Sequence, residues 1–404
     1  METEQGSVFA VADARRLWLV GLLVSVARWL EMLVIGILVW QATGSAFLVA
    51  AMVLLRLLPM GMFGALLGVA ADRVQRRSAL LLVVAGQAAV AAALAVLAFT
   101  GSVEVWKVAV ACFFGGLAWA SDNPVRRMLI GEVVGPARLG TAMSVDVMAN
   151  NASRIAGPAV GGTVLAWLGA GPAFLLGLLL YLTALGAAFG IRHRSRVSRA
   201  RRPVLAETAE SFGLVLRSPQ LRGVIVVTLI FNVFGWPCTS MVPVIGQEAL
   251  RLDPSGVGVL AAMDGLGALL GGLLLGWLGP APVRYARIYV VGTAACMSML
   301  ALFAVLPHPA LAGLALLLSG VGGAGFATMQ ATLVYLIAPP ELRSRALGVL
   351  SVFIGLGLVG FLLLGIAANL VGAPVAVAGS GAAGLLALAL TRPTWRRIRP
   401  REAG

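Results

Sequence analysis

Twelve stretches of this chain stay apolar for roughly the 20 residues that an α-helix needs to cross the hydrocarbon core of a bilayer. In the first half they cover 17–40, 46–71, 78–100, 105–128, 139–167 and 172–191. In the second half they cover 221–245, 255–278, 284–306, 310–337, 343–368 and 374–391. A chain that is 60% hydrophobic and 11% charged, with a mean hydropathy of +0.97, is not an ordinary soluble protein. The first run is too long for a signal-peptide core and lacks a cleavage site, so it is expected to be retained. The expectation is an all-α polytopic membrane protein with twelve transmembrane helices, its principal partner the lipid bilayer.

The net charge of +14 could suggest nucleic acid, but its distribution excludes that. If the amino terminus is cytoplasmic, the loops and helix ends on that side, Arg126, Arg127 and Arg138 after the fourth run among them, hold 25 of the 30 basic residues, while the opposite side has only Lys107 and Arg251. This is the positive-inside asymmetry, and it predicts both termini in the cytoplasm. Cys112, Cys238 and Cys296 fall inside apolar runs and read as small buried hydrophobes. With His193 and His308 as the two histidines, the sequence offers no metal cluster, no cofactor site and no Cys/His or Ser/His dyad, which argues against an enzyme.

The chain is organised as six plus six. Residues 1–191 read as one six-helix bundle, 192–220 as a basic cytoplasmic linker with a short surface helix around 204–216, and 221–404 as a second bundle with a cytoplasmic tail. Sliding the chain by 207 residues lays 115–121 on 322–328 and Arg138 on Arg345, with eight of 31 positions identical from 115 to 145. Parallel repeats of this kind are one design of secondary transporters, with the site at the midplane between halves.

Gly68-x-x-x-Asp72-Arg73-x-x-Arg76-Arg77 joins the second and third runs. It resembles the loop signature of the major facilitator superfamily, and twelve helices in two repeats resemble that family's architecture over nearly the whole chain. The sequence departs from the signature at Gln75, where the family usually has glycine, and Gly272 to Gly279 in the second half keeps glycines but no acid. The resemblance implies that Asp72 latches onto the start of the eleventh helix when the cytoplasmic side is closed. Pro339-Pro340-Glu341 looks like such a start, and a helix amino terminus attracts a carboxylate. The bland alternative is a topology signal, which needs the arginines but not Asp72.

Ser153 to Gly162 in the fifth run resembles the antiporter signature of the superfamily's drug exporters, with Gly157, Pro158, Gly161 and Gly162 in place and Ser153 where glycine often stands. Gly157 and Gly161 lie four apart, so a neighbouring helix can approach closely, and Pro158 favours a bend. Gly267/Gly271 and Gly272/Gly276 of the eighth run are the expected partner face, with Gly64/Gly68 and the glycines at 355, 357 and 360 as a second seam. Asn123-Pro124 closing the fourth span, Pro136-Ala137-Arg138, and Asn150 ahead of the glycine string resemble the branch of macrolide and siderophore exporters. The arginine usual in the fourth span of other proton-coupled drug exporters is replaced by Cys112 or Phe113.

A charge at the bilayer centre costs about 2.5–3.5 kcal/mol on insertion scales, so such residues face a cavity or each other. Arg28, Glu31, Arg56, Arg154 and Asp264 fall near the middle of their runs, while Asp122 and Asp146 lie nearer the cytoplasm, where water can solvate them. Arg28 and Glu31, three apart, are expected to pair on one helix face, and Asp146, Asn150 and Arg154 form a polar stripe. Asn232 and Gln330 are the polar candidates of the second half. Structural ion pairing is the alternative for each charge, preferred for Asp122 and not for Glu31 or Asp264. No GxxxxGK[ST] loop is present, which argues against ATP as the driver. The reading is a monomeric, proton-coupled exporter of a small amphipathic molecule such as a drug, siderophore or metabolite. An importer or facilitator on the same fold and a lipid flippase remain the alternatives.

Overall fold

The structure, a computed structural model, describes residues 8–73, 75–193, 195, 213, 217–339 and 342–398, with backbone alone at 64–73, 344 and 345. It divides into two compact units, Met1–Ile35 with Leu55–Arg201 and Gly36–Leu54 with Arg202–Gly404. The described residues contain helices and no strand. The surface helix expected around 204–216 lies outside the described residues, apart from Gly213.

The first half supplies α1 (Ala12–Thr43), α2 (Ala46–Arg73), α3 (Arg76–Phe99), α4 (Val105–Val134), α5 (Leu139–Leu168) and α6 (Ala170–Phe189). The second half opens with α7 (Pro219–Ile230), which passes through a π-helical turn at Phe231–Gly235 and a 3-10 segment at Trp236–Met241 into α8 (Val242–Glu248). Then follow α9 (Pro254–Leu278), α10 (Tyr285–Val305), α11 (Pro309–Ile337), α12 (Arg343–Gly355), α13 (Gly357–Val371), α14 (Ala373–Leu390) and the single turn α15 (Arg392–Trp395).

Among the described residues ten segments are long and apolar enough to cross a membrane. Of the expected twelve, α4 and α5 are not among these; each is 30 residues long, and they carry Asp122, Arg126 and Arg127, and Asp146 and Arg154, respectively. The fourth span does not close at Asn123-Pro124 as its sequence suggests. α4 continues through Pro124 to Val134, as membrane helices can when neighbouring helices satisfy the freed backbone groups.

The core of the first unit gathers Leu17, Val20 and Val24 of α1, Leu80 and Val84 of α3, Leu129 and Ile130 of α4, and Tyr181 and Ala184 of α6. That of the second gathers Val224 and Val227 of α7, Tyr289 and Met297 of α10, Phe326 and Leu333 of α11, and Val349 of α12. Lipid tails are as apolar as leucine, so helices in a bilayer associate by close packing, which small residues permit. A Cβ at Gly116 of α4 would overlap the carbonyl oxygen of Arg56 on α2; a Cβ at Gly320 of α11 would overlap that of Asp264 on α9. Both halves thus clamp their second span against their fourth by setting a glycine under a carbonyl.

Two glycines of the antiporter-like string pack within their own unit. Gly157 packs on Val26, Trp29 and Leu30, and Gly161 on Leu30, all on α1 of the same unit. Gly267 and Gly271 of α9 instead receive Leu317, Gly320, Val321 and Ala324 of α11, and Gly360 receives Val233 and Pro237 of the α7–α8 span. Spacing shows that a helix presents a small face but not which neighbour takes it.

Candidate functional site

Buried charge is concentrated in the first unit. Arg28, Glu31, Arg56, Asp122, Arg126 and Asp146 are each at most 4% exposed, so each must find its counter-charge inside the protein. Two sets of pairs result. Arg56 of α2 donates to Glu31 Oε2 of α1 at 2.8 Å, and the hydroxyl of Tyr181 on α6 reaches the same oxygen at 3.3 Å. One turn back on α1, Arg28 donates to Asp122 Oδ2 of α4 at 2.9 Å and lies 4.8 Å from the ring centre of Trp119. Asp122 is also within 3.7 Å of Arg126, and Arg126 continues the chain to Asp146 of α5. Arg127, about half exposed, donates to the other oxygen of Asp146 at 3.0 Å.

Arg28 and Glu31 therefore do not pair with each other; each takes a partner from another helix. Asp122 and Asp146 are not solvated ends either, being 0% and 2% exposed. The reason lies in Arg126, which sequence reading assigns to a cytoplasmic loop. α4 runs past it, and its guanidinium is folded against Gly21 of α1, where a Cβ would strike it. The signal was present in the four-residue step from Asp122 to Arg126, which is helical pairing spacing. Tyr181 left no comparable trace: it is one tyrosine in an apolar run.

Glu31 has the setting of a group that can change state. Its Oε2 takes both bonds, its Oε1 has no hydrogen-bond partner among the described residues, and Gly177 of α6 lies beside it, leaving room where a larger side chain would stand. Arg154 of α5 lies over the ring of Trp29 at 5.4 Å, a cation–π contact beside the Gly157 packing. Asn150, half-buried, accepts a bond on its backbone oxygen from Ser153.

The second unit answers with uncharged groups. Thr228 Oγ1 accepts from Gln330 at 3.0 Å and shares a 2.7 Å bond with the Tyr289 hydroxyl, and Asn232 donates to the Thr228 carbonyl at 2.8 Å. The two second-half candidates thus converge on one threonine that sequence reading passed over. Beside them Phe231 and Phe326 stack with ring centres 3.8 Å apart. Asp264 is half-buried on α9.

Of the loop signature, Gly68, Asp72 and Arg73 lie where side chains are outside the described residues, as do Pro340 and Glu341. Arg76 pairs with Glu132 at the end of α4, and Arg77 donates to the Phe189 carbonyl at 2.9 Å. Glu132 also meets His193 at 3.1 Å and Ser195 at 2.6 Å, so the start of α3, the end of α4 and the residues after α6 are fastened together.

Comparison with known proteins agrees with this architecture. The family described as transmembrane secretion effector matches residues 7–403. Macrolide efflux protein A of Streptococcus pyogenes is 22% identical over 271 residues, covering 64% of this chain and 65% of that protein, so the match spans just under two thirds of the relative. The protein of the same description from Enterococcus faecalis is 25% identical over 270 residues, 63% of this chain and 81% of the relative. Among solved structures, a POT family transporter in complex with 5-aminolevulinic acid superposes with a TM-score of 0.77 at 12% identity, covering 95% of this chain and 96% of that one.

Proposed function

From the premise that this chain belongs to the transmembrane secretion effector family, within the major facilitator superfamily, we propose that it is a proton-coupled exporter of a small amphipathic compound, working by alternating access across a bacterial inner membrane. We take it as a monomer of two six-helix bundles, 1–191 and 221–404, joined by the basic linker 192–220. The likeness to macrolide efflux proteins makes macrolides the first compounds to test.

The observation that carries this reading is the Glu31–Arg56 pair. Both groups are buried, and Glu31 is held by Arg56 and Tyr181 through one oxygen while the other has no partner among the described residues. Protonating Glu31 removes the charge that compensates Arg56. A buried guanidinium left alone is costly, so proton uptake has to be accompanied by a new counter-charge or by movement of α2 against α1. That requirement ties the proton to conformation. The neutral cluster of Asn232, Thr228, Tyr289 and Gln330, with its stacked phenylalanines, suits the uncharged part of an amphipathic substrate.

Glu31→Gln keeps the shape and one acceptor oxygen but cannot carry a proton. In proteoliposomes with an imposed pH gradient it is expected to abolish concentrative transport while leaving downhill exchange. A mutant that still accumulates substrate against its gradient removes Glu31 from the mechanism.

A further inference from the structure

At the end of α1 farthest from Arg15 and Arg16, a cavity of about 460 Å³ is lined by Trp40, Gln41, Gly44, Gln247, Arg251 and Leu252. Three features of its wall point the same way. Arg251 has φ of +54°, the one non-glycine residue in left-handed backbone among those described. The position is a helix carboxyl cap: Leu250 N donates to the Ile245 carbonyl at 3.0 Å and Leu252 N to that of Gly246 at 2.9 Å, a place where chains normally put glycine. An arginine there is strained, and strain of this kind persists where the side chain has a use. Second, Gln247 Oε1 is buried with no hydrogen-bond partner among the described residues, an acceptor in need of a donor. Third, Trp40 offers a half-buried indole face on the same cavity.

The walls are also fixed in place. Gly36 of α1 abuts Pro243 of α8, Gly246 abuts Val257 of α9, and the turn after α1 is tied by Ser45 donating to Asn369 of α13 at 3.2 Å. Asp253 caps α9 by accepting from Gly256 N at 2.9 Å, so its carboxylate is engaged there.

We propose that this cavity is a binding site for an anionic amphiphile. Its phosphate or carboxylate pairs with Arg251, an adjacent hydroxyl or amide N–H donates to Gln247 Oε1, and its apolar part rests on Trp40. A glycerophospholipid headgroup and a soluble acylated acid share this chemistry. The site is independent of whether Glu31 carries the proton.

The test is thermal unfolding of the purified full chain in a neutral detergent, titrated in one arm with dioctanoyl phosphatidylglycerol and in the other with N-octanoylserine. At least one probe is expected to raise the unfolding midpoint, while octyl glucoside, which has no anion, does not. A response to the lipid alone identifies a headgroup site; a response to the acyl-serine alone identifies a soluble ligand. Arg251→Gly relieves the backbone strain, so without probe it should unfold at the same temperature or higher, yet bind at least tenfold more weakly. Gln247→Leu should weaken binding of either donor-bearing probe. If neither probe raises the midpoint, or if Arg251→Gly responds as the wild type does, the proposal is overturned.

Discussion

Asp122 and Asp146 are acids of the same kind on adjacent helices, yet they hold different partners. Asp122 serves two arginines that are themselves 1–2% exposed, whereas one of the two arginines on Asp146 is about half exposed. Removing one member of a fully buried pair strands its partner, at a cost of about 3–5 kcal/mol, whereas a solvent-exposed partner is worth about 1 kcal/mol or less. Asp122→Asn should therefore lower the thermal midpoint sharply and reduce the yield of folded protein, while Arg127→Gln should leave both near wild type. Equal losses in the two variants would mean that the Arg28–Asp122–Arg126 chain is not what holds α1 to α4. At this scale the sequence showed only some of the charges that lie at depth: Arg28, Glu31 and Arg56, expected near the middle of their runs, are buried, but so are Asp122 and Asp146, which were expected to be solvated. It could not show the pairing. Arg28 and Glu31 are spaced for a local bond, and only the rotation of α1 between α2 and α4 sends each to a different helix.

Among elements, the clamp between second and fourth spans makes the sharpest prediction. Gly116 lies directly under the carbonyl of Arg56, so an added methyl meets backbone rather than a side chain that could turn away. Gly116→Ala has to push α2 and α4 apart, an overpacking cost of typically 1–3 kcal/mol, and it displaces the residue that holds Glu31. It should lower the midpoint and impair transport together, whereas Gly86→Ala, with open space around it, should change neither. A Gly116→Ala protein with unchanged midpoint and transport would refute the clamp. Apolar runs gave the helices well, since period and length suffice for that. The run at 105–128 stopped short of the end of α4 at Val134, and Asn123-Pro124 looks like a stop when read locally, yet the helix continues as its charged residues find partners on α1 and α5. The π-helical and 3-10 break at Phe231–Met241 left only Pro237 and Pro243 as hints.

For the whole molecule, the charge pattern implies a side for every loop. At the α3–α4 connection the cation is Lys107, in the first turn of α4, and that charge is matched by Glu104, 2.5 Å away. Bonds from Lys107 and from the Trp106 indole hold the Glu104 carboxyl below the usual carboxylate range, so it stays ionised at neutral pH and this loop carries no net positive charge. The linker between the halves carries arginines with few acids. By the positive-inside rule the first is expected to face out and the second to face the cytoplasm. Cys112, Cys238 and Cys296 are buried, so the native chain should react little with a membrane-impermeant maleimide, and introduced cysteines can be read against a low background. Ser102→Cys, in the exposed turn before α4, should label in intact cells. Ser198→Cys, in the linker, should label only after the membrane is permeabilised. The reverse pattern would invert the topology and turn export into import for the same cycle, and labelling of both sites in intact cells would break the six-plus-six count of spans.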